Sequence, residues 1–321
     1  MKKLFSLCTL LLPCGVFAQP FLIGTTSLTF HDDARNRDIA CSVYYPALVA
    51  GADQALAAGS FSSLVIGHGF VMTVNAYAYL GQHYAAKGYI VVLPTTEGGL
   101  TPDHASLGQD LAFLPSALQA LSTDPASPFY EHVGAASVLM GHSMGGGAAL
   151  LAASNNTNIQ AVVVLAPAET TPSAITACVS ITVPTLIFGA SEDCITPIAT
   201  NSQPMYDATT ASCKAFVDIL GGGHCYFADA STTCSFGDLT CGPNLTIDRA
   251  QQHQAVLDVT DLWLDHFIGG SDGAQHIGGY ACNLYPFHLL VQLPFRSGGR
   301  HPGRRSVQCP LVAEGTGHPM Q

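Results

Sequence analysis

The chain has 321 residues, of which 48% are hydrophobic and only 10% charged, and its formal net charge is −11. That composition supports a large buried core and excludes a disordered chain. The negative balance argues against nucleic acid or an anionic membrane surface as a partner. Residues 1–18 read as a secretory signal peptide. Lys2 and Lys3 provide the positive start, residues 4–12 the apolar middle, and Val16-Phe17-Ala18 the small residues before a cut at Gln19. The apolar run is too short to span a bilayer, and no other stretch reads as a transmembrane segment. The mature protein is therefore expected to be periplasmic or extracellular.

Residues 27–30 and 39–45 are rich in β-formers around a polar turn, a hairpin signature. Residues 51–59 form an Ala/Gly-rich loop. Residues 63–66 read as a short buried strand ending at Gly67-His68-Gly69-Phe70. Residues 76–87 read as a helix closed by Gly88. Strands follow at 89–93, 136–140, 161–165, 184–188 and 214–220. Helices are expected at 107–121, interrupted by Pro115, at 145–153, and at 248–267. Continuous apolar strands alternating with helices imply a sheet covered on both faces: a three-layer α/β sandwich, mostly parallel. Gly269 to Gly273 reads as an exit. The resulting organisation is a catalytic domain at 19–270 and an irregular or disordered C-terminal tail at 271–321.

Gly141-His142-Ser143-Met144-Gly145 lies between an apolar strand and a small-residue helix. G-x-S-x-G in strand–turn–helix context is the nucleophile elbow, where glycines permit a turn tight enough to expose the serine hydroxyl. A serine nucleophile also needs a base, an acid that orients the base, and an oxyanion hole. In this architecture the acid and then the histidine follow later strands. Ser191-Glu192-Asp193 after the strand at 184–188 supplies two carboxylates, Glu192 and Asp193. Gly221-Gly222-Gly223-His224 follows the last strand and supplies the histidine. The oxyanion donors are expected from the N–H groups of Met144 and Phe70. His68 reads as a buried structural histidine. His142 is better suited to the wall of the cleft than to the role of base. The chemistry requires no metal and no organic cofactor.

Eleven cysteines are present, and nine remain once Cys8 and Cys14 leave with the signal peptide. In an oxidising compartment disulfides are the default. Cys178, Cys194, Cys213, Cys225, Cys234 and Cys241 are the candidates. Cys234–Cys241 would close a short loop, and either Cys194 or Cys213 would pair with Cys225.

The elbow, Asp193-Cys194-Ile195-Thr196-Pro197, Pro204-Met205-Tyr206-Asp207 and Gly221-Gly222-Gly223-His224-Cys225 together resemble the bacterial cutinases and poly(ethylene terephthalate) hydrolases. The likeness runs from about residue 61 to 268. It implies a lidless, secreted α/β-hydrolase that cleaves carboxylic esters through an acyl-enzyme, with an insoluble polyester or lipid as substrate and a monomeric state. By the resemblance Ser143, Asp193 and His224 form the triad. Phe70 and Met144 carry the oxyanion hole and wall the acyl pocket, and Ile195 lines the cleft. It also implies a bridge between the acid and histidine loops, here Cys194–Cys225. The family places a tryptophan after Ala-Pro, but this chain has Ala168 there, and its single tryptophan is Trp263. Stacking on an aromatic polymer is weakened accordingly. Two other readings are a lipase or short-chain carboxylesterase without polymer activity, and an inactive α/β-hydrolase-fold binding module. A dienelactone-hydrolase-like enzyme fits less well, because a serine rather than a cysteine occupies the elbow.

Overall fold

The computed structural model describes residues 20–154, 156–241, 244–269 and 287–291. The expected signal peptide lies outside these residues, as does most of 271–321. Two antiparallel strands, β1 (Leu22–Asp32) and β2 (Arg37–Ala47), open the chain as the expected hairpin. The two-residue β3 (Gly51–Ala52) lies inside the expected loop and pairs with β1. Next come β4 (Phe61–Gly67), a 3₁₀ turn at Val74–Tyr77, α1 (Ala78–Ala86) and β5 (Tyr89–Pro94). Then follow α2 (His104–Leu121), β6 (Val133–His142), α3 (Met144–Ala153), β7 (Ala161–Leu165), α4 (Ala174–Cys178) and β8 (Thr185–Ala190). The chain continues through α5 (Ser202–Ala208), β9 (Lys214–Ile219), α6 (Thr232–Cys241) and α7 (Arg249–Phe267). A final strand, β10 (Phe287–Val291), falls in the stretch expected to be irregular and pairs in parallel with β9.

The strands form one sheet in the order β10-β9-β8-β7-β6-β4-β5-β2-β1-β3. From β10 to β5 every pairing is parallel, and β2 joins β5 antiparallel. Every residue of β5, β7 and β8 is buried. A parallel strand covered on both faces needs no polar side, which is why these segments read as unbroken apolar runs. One core joins the sheet to α2, α3, α4 and α5, and a second joins its other face to α1 and α7. The result is the expected three-layer sandwich, an α/β-hydrolase fold.

The helix expected to be interrupted at Pro115 is instead continuous from His104 to Leu121. A proline inside a helix costs ~3 kcal/mol. Leu107, Leu111, Leu114 and Leu118 on the same helix are all completely buried. Each such burial contributes ~1.5–3 kcal/mol, so packing outweighs the break. The N-terminus is fixed by Asp103, whose carboxylate accepts from Ala105 N and Ser106 N. The last helix begins at Asp248, as expected, with a reciprocal capping box to Gln251. Among the described residues the segment between β7 and β8 holds only the short α4 and builds no lid. No helix among them is long and apolar enough to cross a membrane.

Candidate active site

The elbow sits at the C-terminal end of β6. Ser143 has φ +55° and ψ −121°, outside the regions a serine ordinarily adopts. Its N–H donates to Leu165 O, and its carbonyl accepts from Gly147 N and Ala168 N. These three bonds hold the strained residue in place. A Cβ added at Gly141 would overlap the Gly145 carbonyl, and one at Gly145 would overlap the backbone of Gly67. The two motif glycines are thus required because three backbone segments meet there without room for a methyl group.

The three sequence-derived candidates converge at this point. His224 Nε2 lies 3.0 Å from Ser143 Oγ, and His224 Nδ1 lies 2.8 Å from Asp193 Oδ2. All three residues are buried. With Asp193 facing Nδ1, that nitrogen carries the proton and Nε2 presents its lone pair to the serine hydroxyl. Of the two carboxylates in the acid loop, Asp193 is therefore the one that reaches the histidine. Glu192 meets Ser191 Oγ at 3.2 Å instead.

Asp193 accepts four hydrogen bonds. Ile195 N (2.9 Å) and Thr196 N (2.8 Å) reach Oδ1, while Thr196 Oγ1 (2.8 Å) and His224 Nδ1 reach Oδ2. Burial alone would push this carboxyl up. The bond to His224, its positive potential and the Thr196 donors outweigh burial and hold the carboxyl below the usual carboxylate range. Thr196 belongs to the Asp-Cys-Ile-Thr-Pro motif, but nothing in the sequence signals that its hydroxyl reaches the acid. Its hydroxyl also lies 3.0 Å from His224 Nδ1.

The histidine loop is fixed from α7. Gln252, fully buried, accepts from Gly223 N (3.0 Å) through Oε1 and donates to Gly223 O (2.9 Å) through Nε2. Arg249 donates to the carbonyls of Cys225 and Ala228. Neither residue carries a sequence signal, because the pairing joins segments more than twenty positions apart. Gly221 adopts φ +74°, where a side chain would be strained, and this turns the chain off β9 toward the serine.

Ser143 opens into a cleft of about 430 Å³, lined by Phe70, Met144, Ala168 and Ile195 among others. Phe70 and Ile195 are partly exposed at its mouth. Neither Phe70 N nor Met144 N has an acceptor among the described residues, which leaves both available to a ligand. Polar groups also reach the cleft, namely His104 and Glu169. His68 is buried as expected, with Nδ1 2.9 Å from Gly69 O and Nε2 2.8 Å from Thr96 O.

Two expectations are corrected. His142 does not wall the cleft. It is completely buried behind Ser143 and His224, with Nδ1 2.9 Å from Tyr77 Oη and Nε2 3.2 Å from His224 O. Burial, with His224 adjacent, holds its imidazole well below the ordinary histidine range. The cysteine pairings also differ. Cys225 is bonded to Cys234, with Cα atoms 5.4 Å apart. This excludes Cys194–Cys225, Cys213–Cys225 and Cys234–Cys241, because the 3₁₀ turn at His224–Phe227 packs directly beside the start of α6. Cys194 and Cys213 are disulfide-bonded. Cys178 is a free thiol sealed in the core, and burial raises it to about 11. No group of three or more metal-ligating side chains occurs among the described residues.

Residues 36–240 match the family described as PETase, PET hydrolase-like. The chain is 32% identical to "Cutinase est1" of Thermobifida alba over 180 residues, which cover 56% of this chain and 57% of that protein. It is 30% identical to a cutinase of Thermobifida fusca over 167 residues, or 51% of this chain and 53% of that one. It is likewise 30% identical to "Bis(hydroxyethyl) terephthalate hydrolase" of Streptomyces coelicolor over 185 residues, or 57% and 54%. The chain thus spans a little over half the length of the curated relatives it matches. With the family match covering more than half of its residues, this chain belongs to the PET hydrolase-like family of α/β-hydrolases.

Proposed function

We propose that the protein is a secreted serine esterase that cleaves carboxylic esters through an acyl-enzyme, with polyester as its substrate class. The carrying observation is the Ser143–His224–Asp193 hydrogen-bonded chain at the elbow. Cutinases and a terephthalate-ester hydrolase among the relatives support the substrate class, and a cleft open at Phe70 and Ile195 suits a bulky ester. The signal peptide expected at residues 1–18 and the Cys225–Cys234 disulfide support an oxidising extracytoplasmic compartment.

Ser143 Oγ attacks the ester carbonyl as His224 Nε2 takes its proton. Asp193 holds the Nδ1–H tautomer and stabilises the imidazolium. The N–H groups of Phe70 and Met144 receive the negative oxygen of the tetrahedral intermediate. His224 then protonates the departing alcohol. It next activates a water that releases the acid from Ser143. Ala168, at the position where the family carries a tryptophan, leaves Phe70 without an aromatic partner on that side of the cleft, which favours aliphatic over aromatic polyesters. Ser143→Ala is expected to abolish hydrolysis of p-nitrophenyl butyrate and of aliphatic polyester film, with an unchanged circular dichroism spectrum. A fully active Ser143→Ala protein would overturn the proposal.

A further inference from the structure

The glycines of the elbow explain how Ser143 is presented, but not why a histidine stands before it. A second chain of buried hydrogen bonds reaches the site from behind that histidine. Gly69 N–H donates to Tyr77 Oη at 2.8 Å. Tyr77 Oη lies 2.9 Å from His142 Nδ1, and His142 Nε2 lies 3.2 Å from the backbone carbonyl of His224. Tyr77 and His142 are both completely buried. Their rings are 5.8 Å apart, and the His142 ring is 4.7 Å from that of His224.

Proton positions along this chain are forced by the chemistry of its ends. A carbonyl oxygen has no proton, so His142 Nε2 must carry one. Nδ1 of the neutral ring is then a lone pair, and Tyr77 gives its one proton to it, because an imidazole nitrogen at 2.9 Å is a stronger acceptor than the Met72 sulfur 3.2 Å from the same hydroxyl. The Tyr77 oxygen accepts in turn from Gly69. Burial beside His224 favours the uncharged ring that this pattern requires. The two ends of the chain lie beside the two groups that the proposed chemistry uses. Gly69 immediately precedes Phe70, whose N–H is one proposed oxyanion donor. The His224 carbonyl belongs to the base itself. A Cβ at Gly69 would lie 3.1 Å from Tyr77 Oη and 3.3 Å from His142 Nδ1, so this loop is pressed directly onto the pair.

Resting on the serine-esterase reading, we infer that Tyr77 and His142 are positioning residues that set the distance between the Phe70 oxyanion donor and the His224 base. The pair touches neither substrate nor Ser143 Oγ. It ties the loop after β4 to the loop after β9 across the back of the elbow. Asp193 orients the His224 ring and Gln252 holds Gly223. The Tyr77–His142 pair supplies the link from those two loops to the oxyanion loop.

The test uses the mature enzyme with Tyr77→Phe, His142→Gln and the double variant. Phenylalanine keeps the ring and removes only Oη. Glutamine places an amide N–H near the Nε2 position, so it retains a donor toward the His224 carbonyl but loses the partner of Tyr77. Each single variant is expected to lower kcat for p-nitrophenyl butyrate by about 10- to 50-fold with KM within about twofold, since oxyanion donors and bases lose effect with small displacements. The Ki of a boronic acid, which forms a tetrahedral adduct on Ser143, should weaken in proportion to kcat. The double variant should be no worse than the poorer single one, because both remove the same link. A kcat for Tyr77→Phe within about twofold of the parent, effects that multiply in the double variant, or a loss confined to KM would overturn the inference. Nitrogen-15 NMR of the parent protein gives a readout free of turnover and of mutant folding. Protonated Nε2 and bare Nδ1 on His142 are expected, and the opposite tautomer would overturn the pair. A parent enzyme that neither hydrolyses esters nor reacts with a fluorophosphonate would refute the esterase reading, while the His142 tautomer would still judge this one.

Discussion

Replacing Thr196 with valine is the sharpest probe of the acid side of the site. The change swaps a hydroxyl for a methyl group of similar size at a buried position. It removes one of the four hydrogen bonds to Asp193, the 2.8 Å bond to Oδ2, and leaves those from Ile195 N, Thr196 N and His224. The hydroxyl has one proton and a second acceptor, Ala166 O, at 3.1 Å; the charged oxygen is the stronger partner. A hydrogen bond to a charged group contributes ~1.5–3 kcal/mol. In a domain of this size ~1 kcal/mol corresponds to a Tm change of about 2–4 °C, so Thr196→Val should lower Tm by about 3–12 °C at pH 7. The sign of its pH dependence follows from Asp193. A carboxyl held below its unfolded value stabilises the fold at pH above that value, and the contribution disappears as pH falls through the folded value. The Tm gap between parent and variant should therefore be full above about pH 5 and shrink on acidification below about pH 4. Activity should suffer less than stability, because the Asp193–His224 bond survives. A fall in kcat of under about tenfold is expected, against about 10⁴-fold for Asp193→Asn, which presents the wrong group to Nδ1. Calorimetry across pH and ester kinetics measure both quantities. An unchanged Tm, a gap that widens in acid, or a loss of activity as deep as that of Asp193→Asn would refute this account of the carboxylate.

Gly141→Ala should prevent accumulation of folded protein, because the methyl group would meet the Gly145 carbonyl and neither backbone segment can retreat; soluble yield and circular dichroism check it. Asp261 joins α7 to α1 through His83 (2.9 Å) and Lys87 (2.8 Å). Burial pushes its carboxyl up, but the bonds from those two partners bring it below the usual range. Asp261→Asn should lower Tm by a few degrees at pH 7, with the difference vanishing as pH falls below about 4. Replacing Cys225 and Cys234 together with alanine should cost about 2–3 kcal/mol in denaturant unfolding. Activity should decline at lower denaturant than in the parent, because the bridge starts at the residue after His224.

Much of the site was legible because its constraints are local. A G-x-S-x-G turn needs glycines on both sides of the serine wherever it occurs, and the apolar strand and small-residue helix that flank it can be read directly. Asp193 and His224 were found from their places after successive strands, since parallel order along the chain becomes adjacency along one edge of the sheet. Other features depend on which surfaces meet, and the sequence carries no such signal. His142 alternates to the buried face of the elbow because Tyr77, sixty-five positions earlier, packs behind it. The Cys225–Cys234 bridge depends on α6 folding back onto the turn after His224, which spacing alone does not distinguish from the three other pairings considered. Pro115 reads as a break on local preference alone, because the four leucines that bury its helix act through tertiary packing.

Gln252 gives the order of the chain a chemical meaning. The proposed nucleophile is encoded at position 143 and the proposed acid at 193, but the loop bearing the proposed base is clasped by a side chain of the last long helix, α7. A polypeptide still emerging, or shortened by a protease ahead of that clasp, holds a serine without a partner poised to activate it. On the esterase reading, activity therefore requires the chain at least as far as Gln252 and not the elbow alone.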